Sequence, residues 1–216
     1  MFKIKTISLS NKGYPVNLKK IDKPPKKVYL VGSVTNYDSH AVAIVGSRNM
    51  SNYGKRIAED FSYNLAKNKV TLVSGLARGI DTIVHKSALA AGGRTIAVLG
   101  GGLDIIYPPE NTELAKEIVK RGAIISEYAV GTKPLPKNFL ARNRIIAGLS
   151  LVVVVIEGKR RSGTISTAGH AADIGRDVFA IPGPIDSPLS EAPNYLIENG
   201  AGVARSYRDI LAALDT

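Results

Sequence analysis

The stretch "KNFLARNRIIAGLSLVVVVIEGKRRSGT", Lys137 to Thr164, sets a row of cations against one of the most apolar segments of the chain, and closes on a second basic cluster and Ser-Gly-Thr. Its centre, "LVVVVIE" from Leu151 to Glu157, shows no polar alternation. A strand with one wet face alternates, so an unbroken apolar run this short reads as a strand buried on both faces. Similar runs recur along the chain: "AVAIVG" at 41–46, "VTLVSG" at 70–75, "RTIAVLG" at 94–100, "GAIISE" at 122–127 and "DVFAIPG" at 177–183. Each is bounded by Gly, Ser or Glu, and a helix-like segment follows most of them. The pattern predicts an α/β fold, Rossmann-like, with a mostly parallel sheet and helices on both faces.

On this reading residues 41–216 form an extended Rossmann-like domain. The first forty residues are lysine-rich and carry Pro15, Pro24 and Pro25. They read as a basic N-terminal extension packed on the core, with one short strand at Val28–Val31 and lysines on the solvated side of a strap.

Bulk composition narrows the function classes. The 216 residues contain no cysteine, which excludes disulfides, thiolate metal sites and cysteine nucleophiles. His40, His85 and His170 are scattered without metal-ligand spacing, so neither a metal nor a cofactor is expected. The start has no apolar signal-peptide core, and the run Leu151–Ile156 is too short to cross a bilayer, so the expected compartment is the cytoplasm, with no membrane partner. Lys+Arg 29 against Asp+Glu 18 gives +11 and a pI near 9.8. That balance suits either a nucleic-acid partner or solubility alone.

Position favours an anionic ligand. In an open parallel sheet, ligands bind beyond the carboxyl ends of the strands. Gly46-Ser47-Arg48, Arg78, and Lys159-Arg160-Arg161 all follow apolar runs, so the architecture gathers them on one basic rim. "GSR" followed by "NMSNYG" is a strand–turn–helix phosphate loop candidate, with Ser51 or Asn52 as cap and Arg48 beside the free N–H groups. "GGGLDIIYPPEN" either cradles a ligand or turns the chain, with Asp104 and Tyr107 as loop-fixing residues. In "SGLARGIDTIVH", Asp81 and His85 form an i,i+4 pair that reads as structural, with an acid/base pair as the alternative. "RRSGTISTAG" places Ser162 as N-cap and exposes the N–H groups of Gly163 and Thr164 beside Arg160 and Arg161.

The quoted stretch itself spaces Phe139, Ile145, Ile146 and Leu149 as one apolar helix face. Arg142, Asn143 and Arg144 then fall near the start of that helix, where cations oppose the dipole by a few tenths of a kcal/mol unless an anion intervenes. Phe139 beside them supplies an aromatic surface, and stacking with cations is how single strands are held. The competing reading makes Phe139 core and pairs the arginines with Glu127 or Glu157.

Together "AIVGSR" (43–48), "LVSGLARGID" (72–81), "GGRTIAVLGGGLDIIYP" (92–108), "ISE" (125–127), "FLARNRIIAGLS" (139–150), "SGTISTA" (162–168) and "GRDVFAIPGPI" (175–185) resemble the DNA-processing protein A family, also called DprA or Smf. The resemblance implies a dimeric, non-enzymatic protein that binds single-stranded DNA, displaces single-strand-binding protein and loads the RecA recombinase during natural transformation. Carried over residue by residue, it implies DNA contacts from Gly46, Ser47 and Arg48, from Lys137, Phe139, Arg142, Asn143 and Arg144, and from Ser162, Gly163 and Thr164. Departures from the family pattern are Leu140 for proline, Ala192-Pro193 for glycine, and Val84 before His85. Many members also carry a helical N-terminal domain and a C-terminal winged helix. The forty residues before the core are too few for the former, so functions resting on those modules are not expected from this stretch.

Two other functions compete. Nucleotide phosphoribohydrolases of the lonely-guy type carry a PGGxGTxxE block, but Ala168 or Gly169 stands here where the catalytic acid belongs. A nucleotide-sensing module without a reaction is the third reading.

Overall fold

Every one of these apolar runs becomes a strand of one sheet in the computed structural model, which describes residues 3–215. In chain order the elements begin with β1 (Lys5–Ser8), α1 (Val16–Lys19), β2 (Lys27–Gly32), β3 (Ala41–Val45), α2 (Asn52–Lys67), β4 (Thr71–Ser74) and α3 (Ile80–Ala90). There follow β5 (Thr95–Leu99), α4 (Thr112–Arg121), β6 (Ala123–Ser126), α5 (Pro136–Leu149), β7 (Val152–Val155) and α6 (Gly163–Asp173). The chain closes with β8 (Asp177–Ala180), α7 (Glu191–Glu198), β9 (Gly202–Val203) and α8 (Tyr207–Leu214).

The sheet order is β1-β2-β6-β5-β4-β3-β7-β8-β9. All pairings from β6 to β9 are parallel, while β2 joins β6, and β1 joins β2, antiparallel. The fold class is therefore the expected one. The valines of β7 show why its sequence lacks alternation. Val153 and Val155 pack with Ile145, Ile146 and Ala168 of α5 and α6, whereas Val152 and Val154 pack with Phe61, Leu65 and Val84 of α2 and α3. Both faces are dry, and each buried valine is worth roughly 2 kcal/mol of transfer free energy.

The N-terminal segment contributes more regular structure than its composition suggests. β2 encloses the expected Val28–Val31, and β1, unassigned in the sequence, adds an outer strand. Tyr14, Leu18 and Ile21 between them are buried in the cluster that holds α5. Among the described residues, no helix is long and apolar enough to cross a membrane.

Asp81 and His85 find other partners than each other. The Asp81 carboxylate accepts from the N–H groups of Gly75 (3.1 Å) and Ala77 (3.3 Å), and His85 Nδ1 lies 2.7 Å from Thr95 Oγ1. Burial holds the His85 imidazole down to about 3, with the Arg142 charge adding to the effect. Because its folded pKa lies below the unfolded value near 6.5, the unfolded chain binds the extra proton throughout that interval. Its contribution to stability is complete above pH ~6.5 and is lost as pH falls. Urea melts at about pH 7 and about pH 5 should differ by roughly 2 kcal/mol more in the wild type than in His85→Gln. Equal pH dependence in the two proteins refutes the buried neutral imidazole.

Candidate nucleic-acid interface

The "RNR" triplet does not begin a helix. α5 starts at Pro136, whose fixed φ and missing N–H suit the first helical position, so Arg142 is the seventh residue of α5. The dipole conflict expected at Arg142–Arg144 is thereby removed, since the macrodipole acts within the terminal turns.

The three side chains fan out from α5 into three neighbouring elements. Arg142 is only 3% exposed. Its guanidinium donates to Gly75 O (2.8 Å) and to Val98 O, fastening α5 to the ends of β4 and β5. Gly75 has no side chain because the guanidinium and the Asp81 carboxylate lie against it; a Cβ there would stand 2.5 Å from Arg142 Nη2 and 2.7 Å from Asp81 Oδ2. Burial pushes Arg142 down to about 10, against the pull of the Asp81 carboxylate, and leaves it charged at neutral pH. Asn143, also buried, donates through Nδ2 to Gly163 O at 3.1 Å and so fixes the start of α6. Arg144 pairs with Glu127 and donates to Lys23 O at 2.9 Å, joining β6 and the N-terminal segment. Arg142 and Asn143, both expected among the contact residues, point inward and bond protein partners. The competing pairing of arginine with Glu127 holds for Arg144.

What these residues hold up is an aromatic–cationic hollow. Phe139, half-buried on the first turns of α5, lies against Gly100, where a Cβ would meet its ring at 2.8 Å. The exposed Arg48 guanidinium sits 5.3 Å from the Phe139 ring centroid, and Tyr107, 41% exposed, packs at 5.7 Å between centroids. Arg142 lies 5.9 Å from the same ring and charges the hollow from within. Arg78 borders it while pairing with Glu110. Phe139 is thus neither core nor free; it is a ring with a supported edge and an accessible side. Tyr107 was read from sequence only as a loop-fixing residue. Asp104, the other residue expected to fix that loop, accepts through its carboxylate from Gly131 N at 3.0 Å.

The remaining expected residues spread along the same edge. Lys137, Arg160, Arg161 and Gly163 are exposed, Gly46 and Ser47 half-exposed, and Thr164 is buried. Ser162 stands at the N-cap of α6 but makes no capping bond, and its Oγ is buried without a partner. The Arg160 guanidinium lies over the Tyr195 ring. At the "GSR" loop, Ser51 is the cap, accepting from Gly54 N at 2.9 Å. The free N–H groups expected there are not all free, because Glu157 takes Ser51 N at 2.7 Å.

In open α/β sheets ligands bind beyond the carboxyl ends of the strands, which is where this chain carries its basic, aromatic-bearing rim. The chain belongs to the DNA recombination-mediator protein A family, whose model matches residues 5–215. It is 46% identical over 205 residues to Protein Smf of Synechocystis, covering 93% of this chain and 52% of that protein. The X-ray structure of DNA processing protein A from Streptococcus pneumoniae superposes with a TM-score of 0.90 at 42% identity, covering 97% of this chain and 74% of that one. A structure of the Helicobacter pylori protein, reported for its single-stranded DNA binding mode, gives 0.88 at 33% identity over 99% and 96% of the two chains. The chain thus spans about half of the Synechocystis relative and most of the two chains of known structure.

The inward role of Arg142 has a measurable consequence. Arg142→Met leaves two carbonyls and Asp81 without their cation, and should lower unfolding free energy by about 3 kcal/mol. Arg48→Ala, at an exposed position, should stay within about 0.5 kcal/mol of wild type. Equal, small losses in chemical denaturation would return Arg142 to the surface.

Proposed function

We propose that this chain binds single-stranded DNA along the carboxyl edge of its sheet, from the Arg48–Phe139–Tyr107 hollow to the start of α6. The observation that carries the reading is the hollow itself: an accessible aromatic pair, flanked by Arg48 and Arg78 and underlain by Arg142. Bases stack on such rings regardless of sequence, and the surrounding cations neutralise phosphates. Arg48, Lys137, Phe139, Arg160 and Arg161 serve as contact residues, joined by backbone N–H groups at Gly46-Ser47 and Ser162–Thr164. Arg142, Asn143 and Arg144 position them.

Family membership supports a wider role. The chain acts in the cytoplasm as a homodimer that protects incoming strands and helps load the RecA recombinase during natural transformation, without catalysing a reaction. The relative's described single-strand binding supports the same assignment. Loading is measured as faster recombinase filament growth on DNA covered by single-strand-binding protein. Incubation with nucleoside monophosphates should release no free base, separating this reading from phosphoribohydrolase activity.

Titrations against oligonucleotides test the binding directly. Single strands should bind more tightly than duplex of equal length, with log affinity falling against log salt by roughly 0.7 per phosphate neutralised. Parity with duplex, or a flat salt response, removes the proposal. Phe139→Ala and Tyr107→Ala should each cost about 1–3 kcal/mol of single-strand affinity. Neither should lower the melting temperature as far as Arg142→Met is expected to; a collapse of stability in Phe139→Ala would make that ring core.

A further inference from the structure

A second depression lies on the same edge of the sheet and shares no lining residue with the Arg48–Phe139 hollow. It is a cleft of about 540 Å³ over the carboxyl ends of β3, β7 and β8, within the size range of small-molecule sites. From β3 the chain continues to β4 on one side, while β7 and β8 lie on the other, so this is the point where the sheet order reverses. Ligands of open α/β sheets settle at such points.

The cleft has an apolar floor and an unusual acid. Ile156 and Ile181 are buried beneath it. Glu157, 3% exposed, accepts hydrogen bonds from Ser51 N and Ser51 Oγ, both at 2.7 Å. None of the ion pairs among the described residues involves it. A buried carboxylate without a cation is costly unless further donors reach it. Ser190, 6% exposed, also lines the cleft, and its side chain makes no capping bond for α7. No lysine, arginine or histidine lines the space.

This is the reverse of a phosphate site. A phosphodiester passing through would set its charge against Glu157 in a partly dry space. A flat base over the isoleucines, with a sugar hydroxyl donating to the carboxylate, meets both features at once; acidic residues read ribose hydroxyls in this way in dinucleotide folds. We propose that the cleft is a nucleoside pocket in which Glu157 accepts a hydrogen bond from a free sugar hydroxyl. The hydroxyl comes either from a free ribonucleoside or from the 3′-terminal nucleoside of a strand lying on the rim. Only the second source rests on the DNA-binding reading.

The test uses the full chain and two sets of probes. Calorimetric titration with adenosine addresses the free nucleoside. Oligonucleotides ending in a 3′-hydroxyl or a 3′-phosphate address the strand end. Ser187 lines the cleft outside the rim cluster, and Ser187→Phe fills the space. Saturable adenosine binding, weakened at least about tenfold in Ser187→Phe, assigns the free nucleoside. A preference of about tenfold for the 3′-hydroxyl oligonucleotide, erased in Ser187→Phe, assigns the strand end. Glu157→Gln gives a second route should Ser187→Phe fail to fold, since removing the charge should abolish the discrimination against 3′-phosphate or weaken adenosine. No adenosine binding together with equal affinity for the two oligonucleotides overturns the pocket. In that event a retained salt slope leaves the rim reading intact, whereas adenosine binding without any DNA affinity keeps the pocket and removes the rim.

Discussion

The buried Arg142 guanidinium is the constraint on which the binding edge depends. It bonds the carbonyls at the ends of two adjacent strands while resting near a buried carboxylate, and these contacts fix where α5 sits over the sheet. Phe139 lies one turn earlier on the same helix, so its position relative to Arg48 and Tyr107 is inherited from that anchor. A loop could not hold a ring over a strand end with comparable precision, because its backbone has no such internal bracing. Asn143 and Arg144 extend the bracing sideways to α6 and β6. The triplet therefore acts as a three-way clamp, and the charge that looked misplaced in the sequence is mostly consumed in building the site.

The central strands were legible because burial on both faces leaves an unmistakable mark, as in Val152–Val155. β1 and β9 were not, and the reason is physical. Both lie at the sheet's outer edges, where one flank is open, and β1 is largely exposed along its length while β9 has two residues. Short edge strands carry little hydrophobic signal and owe their geometry to the neighbour they pair with.

Of the candidate site, the basic edge was legible in the sequence, while the inward direction of Arg142 and Asn143 was not. The strand-end argument gathered Arg48 and Arg78 on one edge, whereas Phe139 was placed only beside the arginines of its own helix; that Arg48 lies over its ring is a tertiary contact. The direction of Arg142 was lost because the helix start was placed too late. Pro136 held the missing signal: proline at the first helical position would have moved the arginines into the helix interior, where a side chain can face the core. Tyr107 could not have been found from spacing, since its place beside Phe139 depends on the tertiary path of the loop after β5.

The two helix starts at the reversal of the sheet explain how one edge can present two different chemistries. At α2 the protein supplies its own anion: Glu157 takes Ser51 N and Ser51 Oγ, while Ser51 caps Gly54. A second anion arriving there would meet an occupied terminus and a like charge. At α6 the cap serine makes no bond, no acid lies in the first turn, and Arg160 and Arg161 stand beside it. An anion is therefore favoured at α6 and opposed at α2, although both helices begin just beyond neighbouring strands. On the proposed binding path, this difference would favour the start of α6 over that of α2 for the phosphates of a polyanion. The acid after β7 thus bears on both sides, occupying the N-terminus of α2 and placing a carboxylate in the lining of the neighbouring cleft.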